Sequence, residues 1–225
     1  MIASEKKPVL KENKKRNVLV PEHEDLLRRS GFDVVIGVDE AGRGPLAGPV
    51  VAAAVSLTDT CFPFPINDSK KMSPSARERA FDEILARGYV GVGIMSEAVI
   101  DDINILQATF CAMQAAVEDM VGKMPSALTH GPLFIPRVCV LVDGDKFSTT
   151  LPYAYRTIVK GDSSVLSIAC ASVIAKVTRD RIMQMYDKIF PHYGFSQHKG
   201  YPTAAHKAVL RARGYSPIHR KTFSF

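Results

Sequence analysis

Cysteine is scarce. The four present, Cys61, Cys111, Cys139 and Cys170, form no C-x-x-C pair and have mostly apolar or small neighbours. They read as buried thiols of a reducing compartment. A secretory leader is missing: Lys6, Lys7, Lys11, Lys14, Lys15 and Arg16 are followed by no apolar core and no cleavage site, so a cytoplasmic protein is expected. Long apolar runs are absent too. The best stretch, residues 45 to 57, is broken by Gly48, Pro49 and Ser56 and is too short to cross a bilayer as a helix. There is no internal repeat, and no heptad or dimer stripe, so a monomer is expected. A replication-clamp contact is not legible at either terminus. Acid is missing from residues 191 to 225, which carry Lys199, Lys207, Arg211, Arg213, Arg220 and Lys221 beside His192, His198, His206 and His219. The formal net charge of +6 therefore belongs to this segment. Such a surface suits a polyanion, with a merely solvated basic face as the alternative.

What is present suffices for a core. A chain of 225 residues, 46% hydrophobic and 23% charged, is expected to bury roughly 70% of the surface its unfolded form exposes. Residues 1 to 32 read as a basic N-terminal extension, partly ordered from Pro21 to Arg29. A domain is expected over 33 to 225, its core reaching about 190 and its basic C-terminal helical segment covering 191 to 225. The β-branched run 34 to 38 predicts a strand buried on both faces, and 50 to 55 and 89 to 94 predict two more that could pair with it as a meander. Between them, Ser73-Pro74 caps a helix closed by Gly88. Asp101 or Asp102 caps a second helix, running to about Val121. A strand follows at 138 to 142, then a weaker one at 157 to 159. A long helix from Ser163 or Ser164 to about Ile189 carries Ala169, Ala171, Ser172 and Ala175, small residues that let a helix lie close on a sheet. The fold class is α/β, a mixed five-stranded sheet flanked by helices.

Asp39 and Glu40 end the first strand. Two adjacent carboxylates delivered by a buried strand need protons, partners or a metal ion to offset repulsion and lost hydration. Neighbours on a strand point to opposite faces, so both reach one site only if the strand ends or bulges at Glu40, which Gly42 and Gly44 would permit. Asp143 ends a second apolar strand, where α/β sheets place ligands, though Asp143-Gly144 is also a simple turn pair. Asp162 follows the weak strand, where Asp-Ser-Ser is also good helix-cap chemistry. Carboxylates at successive element ends, with no His or Cys cluster nearby, suit Mg²⁺ or Mn²⁺ better than zinc.

These residues stand in recognisable blocks. The run from Gly37-Val38-Asp39-Glu40-Ala41-Gly42-Arg43-Gly44-Pro45 to Ala54 closely resembles the opening motif of bacterial ribonuclease HII, the type 2 ribonuclease H family. Asp68-Ser69-Lys70-Lys71, Leu141-Val142-Asp143-Gly144, Lys160-Gly161-Asp162 through Asp180, and His198-Lys199-Gly200-Tyr201 through His219-Arg220 are similar to its later blocks, in the family's order. Met72 and Pro202 depart from the pattern, and the first 30 residues have no counterpart.

The resemblance implies a ribonuclease H-like fold, with Asp39, Glu40, Asp143 and Asp162 as catalytic metal ligands. It implies cleavage of the RNA strand of RNA–DNA hybrids, and cutting 5′ of single ribonucleotides in duplex DNA, to leave a 5′-phosphate and a 3′-hydroxyl. Phosphodiester hydrolysis of this kind suits two divalent ions about 4 Å apart, Mn²⁺ or Mg²⁺. Backbone groups of Gly42-Arg43-Gly44 are expected to read the 2′-hydroxyl, with Arg43 on a phosphate. Tyr201 matches the family's tyrosine, expected to pack on the sugar beside the junction. Lys70, Lys71, Lys199 and Lys207 are expected on backbone phosphates. Asp180 is expected to be an ion-pair partner rather than a ligand. Two other classes compete. Gly42-Arg43-Gly44-Pro45-Leu46-Ala47 satisfies the dinucleotide fingerprint of an oxidoreductase, which would require a helix immediately afterwards. A non-catalytic basic nucleic-acid-binding protein would need only the C-terminal segment.

Overall fold

Residues 18–125 and 136–224 are described by a computed structural model. The predicted meander forms. β1 (Val34–Ala41), β2 (Val50–Leu57) and β3 (Gly88–Met95) pair antiparallel in that order, and β4 (Val138–Asp143) and β5 (Ala154–Ile158) add in parallel on the other side of β1. The five-stranded sheet runs β3-β2-β1-β4-β5. Because β1 and β4 are parallel neighbours, the acids ending them emerge at one edge of the sheet: Val38 pairs with Val142, one residue before Asp39 and Asp143 respectively.

Helices cover both faces. One face of β1, with Val34, Ile36 and Val38, packs beneath α3 (Glu97–Lys123), whose Ala108, Ala112 and Ala116 are buried. The other face meets α4 (Leu166–Ile189). The small residues Ala169, Ala171, Ser172 and Ala175 of α4 are all buried. Gly37 shows how close the approach is: a Cβ there would lie 2.2 Å from the backbone carbon of Ser167. Each fully buried Ile or Leu of these layers contributes roughly 1.5–3 kcal/mol relative to exposure.

Ser73 caps α2 (Pro74–Arg87) by accepting the Ala76 amide, and Gly88 passes straight into β3. Other boundaries differ from expectation. α3 begins at Glu97 and breaks at Asn104, whose left-handed backbone lets its side chain cap Leu106 and Gln107. Asp101 instead accepts the amides of Lys221 and Thr222, tying the C-terminal segment to α3. The weak strand starts earlier, at Ala154, and Val159 falls outside it. α4 starts at Leu166, because Gly161–Ser163 forms a separate 3-10 turn.

The start of α4 has no side-chain cap of its own, and the amide of Ser167 donates to the buried Glu24 at 2.7 Å. Glu24 belongs to α1 (Glu22–Arg29), whose Leu27 joins the core with Val35, Cys139 and Ile168. A carboxylate at a helix N-terminus meets the positive end of the helix dipole. Two short helices, α5 (Phe195–His198) and α6 (Ala204–Arg213), fill the C-terminal segment.

Two expectations need correction. Cys61 and Cys111 are exposed, leaving only Cys139 and Cys170 as buried thiols. The dinucleotide reading fails on topology, because residues after Gly44 lead into β2, antiparallel to β1, and not into a helix. Among the described residues, no helix is long and apolar enough to cross a membrane.

Candidate active site

Asp39, Asp143 and Asp162 converge. Each offers a carboxylate oxygen, and these oxygens lie within 4.8 Å of one another. β1 and β4 bring the first two to one sheet edge, and the 3-10 turn before α4 delivers the third. The amide of Gly161 donates to Asp143 at 2.7 Å, locking the turn against the strand end. The Asp143-Gly144 turn is real as well: Gly144 has φ +102° and its amide donates to the carbonyl of Ile158. Turn and ligand-like carboxylate therefore coexist at Asp143. The capping alternative for Asp162 does not hold, because the residue preceding α4 is Val165.

Glu40 is placed differently. β1 stays regular through Glu40 and Ala41, paired with Ala52 and Val51, so no bulge turns the side chain round. Glu40 lies on the α3 side, lining a small cavity with Phe110, Met113 and Asp143, and stands 3.3 Å from the Arg43 guanidinium. It is a charged neighbour of the three-acid cluster, not a member of it.

Like charge is crowded here. Burial, then Glu40 and Asp143, pushes the Asp39 carboxyl well above the usual carboxylate range. Burial, then Asp162, raises Asp143. Burial also raises Glu40, although Arg43 opposes it. Lys70 answers part of the charge, its ammonium 3.6 Å from Asp162. Burial lowers its affinity for the proton, but Asp39, Asp162 and Asp68 together outweigh that and raise it. Asp68 caps the 3-10 turn Ser69–Lys71 that carries Lys70, accepting its amide at 2.9 Å. Oxygen-only donors, close together and left short of countercharge, fit a hard divalent cation.

A groove of about 450 Å³ opens beside the cluster, lined by Glu40, Gly42, Arg43, Gly44, Lys70 and Tyr201 among others. It brings the predicted Gly42-Arg43-Gly44 and Tyr201 together with Glu40 and with Lys70, whose ammonium reaches Asp162. Lys199 lines an adjacent cleft with Lys176 and bonds the Ser196 carbonyl. Lys71 reaches Ser163 and Asp68. Asp180 pairs with Lys176 at 2.8 Å, as an ion-pair partner rather than a ligand.

Sequence reasoning missed several residues. Ser172 is a hydrogen-bonding neighbour of Asp39 and is itself bonded to Ser69 at 2.8 Å. Arg77 and Lys176 add positive charge to the groove wall. Arg179 and Arg220 are fully buried and bond backbone carbonyls of the loop between β1 and β2. One signal was available: Ser172, Ala175, Arg179 and Met183 fall at helical spacing, so Arg179 is a charge on an otherwise small or apolar stripe.

A profile of the family described as Ribonuclease HII matches residues 36–225. Among curated proteins, the Ribonuclease HII of Geobacter sulfurreducens is 51% identical over 197 residues, 87% of this chain and 84% of that one. The Ribonuclease HII of Bacillus cytotoxicus is 42% identical over 219 residues, 97% of this chain and 79% of that one. Among solved structures, ribonuclease H2 from Pyrococcus horikoshii OT3 superimposes with a TM-score of 0.61 at 24% identity, covering 85% of this chain and 94% of that chain. Bst-RNase HIII in complex with Mn²⁺ gives a TM-score of 0.64 at 17% identity, over 88% of this chain and 69% of that chain. At those identities the two structures speak for the fold alone.

Proposed function

The chain belongs to the ribonuclease HII family, and on that footing we propose that Asp39, Asp143 and Asp162 hold divalent ions at which the RNA strand of a hybrid, or a single ribonucleotide in duplex DNA, is cut on its 5′ side. The observation that carries the reading is the approach of three carboxylate oxygens to within 4.8 Å of one another beyond the C-terminal ends of β1 and β4. Mn²⁺ or Mg²⁺ bound there would activate water and neutralise charge on the scissile phosphate, leaving a 5′-phosphate and a 3′-hydroxyl.

The chain's own residues set up that chemistry. Ser172 and the Glu40 amide, which donates to Asp39 at 2.7 Å, hold the Asp39 carboxylate in place. Lys70 lowers the local negative potential on the side a phosphate would approach. Glu40 lies outside the three-acid cluster but beside Asp143, and would offer the ions a fourth carboxylate once freed of its pairing with Arg43.

In the groove, the amides of Arg43 and Gly44 read the ribose 2′-hydroxyl. The Tyr201 ring, 41% exposed and near Gly44, packs on the following sugar. Gly42 contributes differently from the sequence expectation: a Cβ there would lie 2.2 Å from Arg179 Nε, so its bareness serves the packing of the loop. Lys199 and Lys207 follow the DNA backbone beyond the groove.

The test is a duplex carrying one ribonucleotide, incubated with Mg²⁺, Mn²⁺ or chelator and mapped for the cut. One incision 5′ of the ribonucleotide, lost with chelator, is expected. Salt-sensitive binding without incision would favour the non-catalytic binding protein.

A further inference from the structure

The loop from Gly42 to Pro49 and the segment around Tyr201 come from opposite ends of the chain, and one buried side chain spans them. Arg179 donates from Nε to the Pro49 carbonyl at 2.9 Å and from Nη2 to the Ala47 carbonyl at 3.1 Å. Its remaining nitrogen, Nη1, donates to the Lys199 carbonyl at 3.0 Å, two residues before Tyr201. The same guanidinium lies 5.9 Å from the centre of the Tyr201 ring. A direct bond from the Leu46 amide to the Gly200 carbonyl closes the join.

Arg220 completes the support from the other side, bonding the carbonyls of Gly42, Arg43 and Gly48. In a trans peptide, the N–H of the next residue points opposite to the carbonyl. Holding the carbonyls of Gly42 and Arg43 against Arg220 therefore turns the amides of Arg43 and Gly44 the other way. Across from Gly44 stands the Tyr201 ring, its Cε1 3.9 Å from where a Gly44 Cβ would be.

We infer that Arg179 is a specificity-determining positioning residue, which sets the spacing between the Gly42-Arg43-Gly44 backbone and the Tyr201 ring and so decides which sugars fit between them. This rests on the nuclease reading above. A guanidinium is a rigid planar fork with donors in fixed directions, and three acceptors on two chain segments use that plane. A lysine would keep the charge and lose the fork. The metal ligands lie elsewhere, and of the proposed phosphate contacts Arg179 bonds only the backbone of Lys199, so binding of a long duplex and of metal should survive the change. The fit of the sugar at the moment of cleavage should not.

The experiment compares wild type with Arg179→Lys on a single-ribonucleotide duplex and on an RNA–DNA hybrid, with Mn²⁺, below the melting temperature of both proteins. The expected result is a fall of about tenfold or more in kcat on the single-ribonucleotide duplex, with KM changed by less than about threefold. The loss on the hybrid should be smaller, because no ribonucleotide-to-DNA junction must be recognised there. Mn²⁺ titration of the metal-free variant should give the wild-type affinity. In a Tyr201→Ala background the same change should cost much less, since the two residues act together.

Equal losses on both substrates, effects additive with Tyr201→Ala, or no loss would overturn the inference. If the lysine variant does not fold, Arg179→Gln is carried through the same comparison. Failure of both to fold would also overturn it, because Arg179 would then serve stability alone. Wild type that cuts neither duplex would instead overturn the nuclease reading and, with it, this inference. A wild type that cuts both duplexes, with a variant that loses equally on the two, overturns only the inference.

Discussion

Charge is buried in two regions of this molecule, and in opposite ways. At the sheet edge, Asp39, Asp143 and Asp162 crowd like charge, with few donors and one nearby ammonium to answer it. Behind the glycine loop, Arg179 and Arg220 are more completely enclosed, yet each guanidinium is matched by three backbone carbonyls. Burial alone does not separate the two; satisfaction does. Carboxylates crowded with like charge are poised for something the chain does not itself supply, while cations whose every nitrogen donates to a carbonyl hold backbone in place.

The widest separation should appear in activity. Asp143→Asn keeps the shape of the cluster and removes one charge, and is expected to lower kcat on a single-ribonucleotide duplex by roughly 10³-fold or more. Duplex retention in a gel-shift assay should change by less than about threefold, since affinity resides mainly in phosphate contacts. Normal turnover in this variant would erase the distinction between the two regions.

Arg220 tests the other half. Arg220→Met leaves the carbonyls of Gly42, Arg43 and Gly48 without their donors in a closed environment, which should cost about 4 kcal/mol of unfolding free energy. Denaturant titration measures it. Arg211→Ala, on an exposed part of α6, should stay within about 0.5 kcal/mol and serves as the control.

The sequence made the first region legible more readily than the second. Asp39 and Asp143 follow β-branched apolar runs, so their position at strand ends could be read locally. Asp162 was ambiguous between capping and ligation until α4 was seen to begin beyond it. The bulge that the glycines after Glu40 suggested does not form, because pairing with β2 keeps β1 straight and sends Glu40 to the other face. The helical stripe marks Arg179 as a buried charge, but the partners of the buried arginines and of Glu24 could not be read. Their partners lie more than a hundred residues away, Arg179 to Pro49, Arg220 to Gly48 and Glu24 to Ser167, and only tertiary structure joins them.

The histidines beside Arg220 extend the satisfied region, and pH probes them. The Ser216 amide donates to Nδ1 of His219, which leaves the ring proton on Nε2, directed at His206 Nε2 3.0 Å away. His206 in turn offers Nδ1 to the Tyr201 carbonyl. Protonating either ring sets donor against donor. Burial, then His206, lowers His219 to about 4. The folded state thus binds its proton less readily than the unfolded chain, near 6.5. The stability this neutral pair contributes is complete above pH 6.5 and is lost as pH falls from there toward 4, by roughly 3 kcal/mol. Thermal melts across that range should show the loss, and a His219→Gln variant should show less of it. Equal slopes would mean that the imidazole network does not carry the acid sensitivity.

The smallest effect has the opposite sign. Because the Asp39 carboxyl is raised in the folded state, the sign is that of a group whose favourable contribution exists below the unfolded carboxylate pKa and disappears as pH rises through the folded value. At neutral pH the raised Asp39 carboxyl of the metal-free protein therefore works against folding. Asp39→Asn should raise the stability of the metal-free protein at pH 7 by on the order of 1 kcal/mol, a rise of about 2–4 °C in Tm for a chain of this size. Adding Mn²⁺ should stabilise wild type and narrow or reverse that gap, since ligand binding favours the folded state by mass action. If Asp39→Asn melts lower than wild type in chelator, its carboxylate is as well satisfied as the buried arginines, and unmet charge no longer distinguishes the catalytic edge from the scaffold behind it.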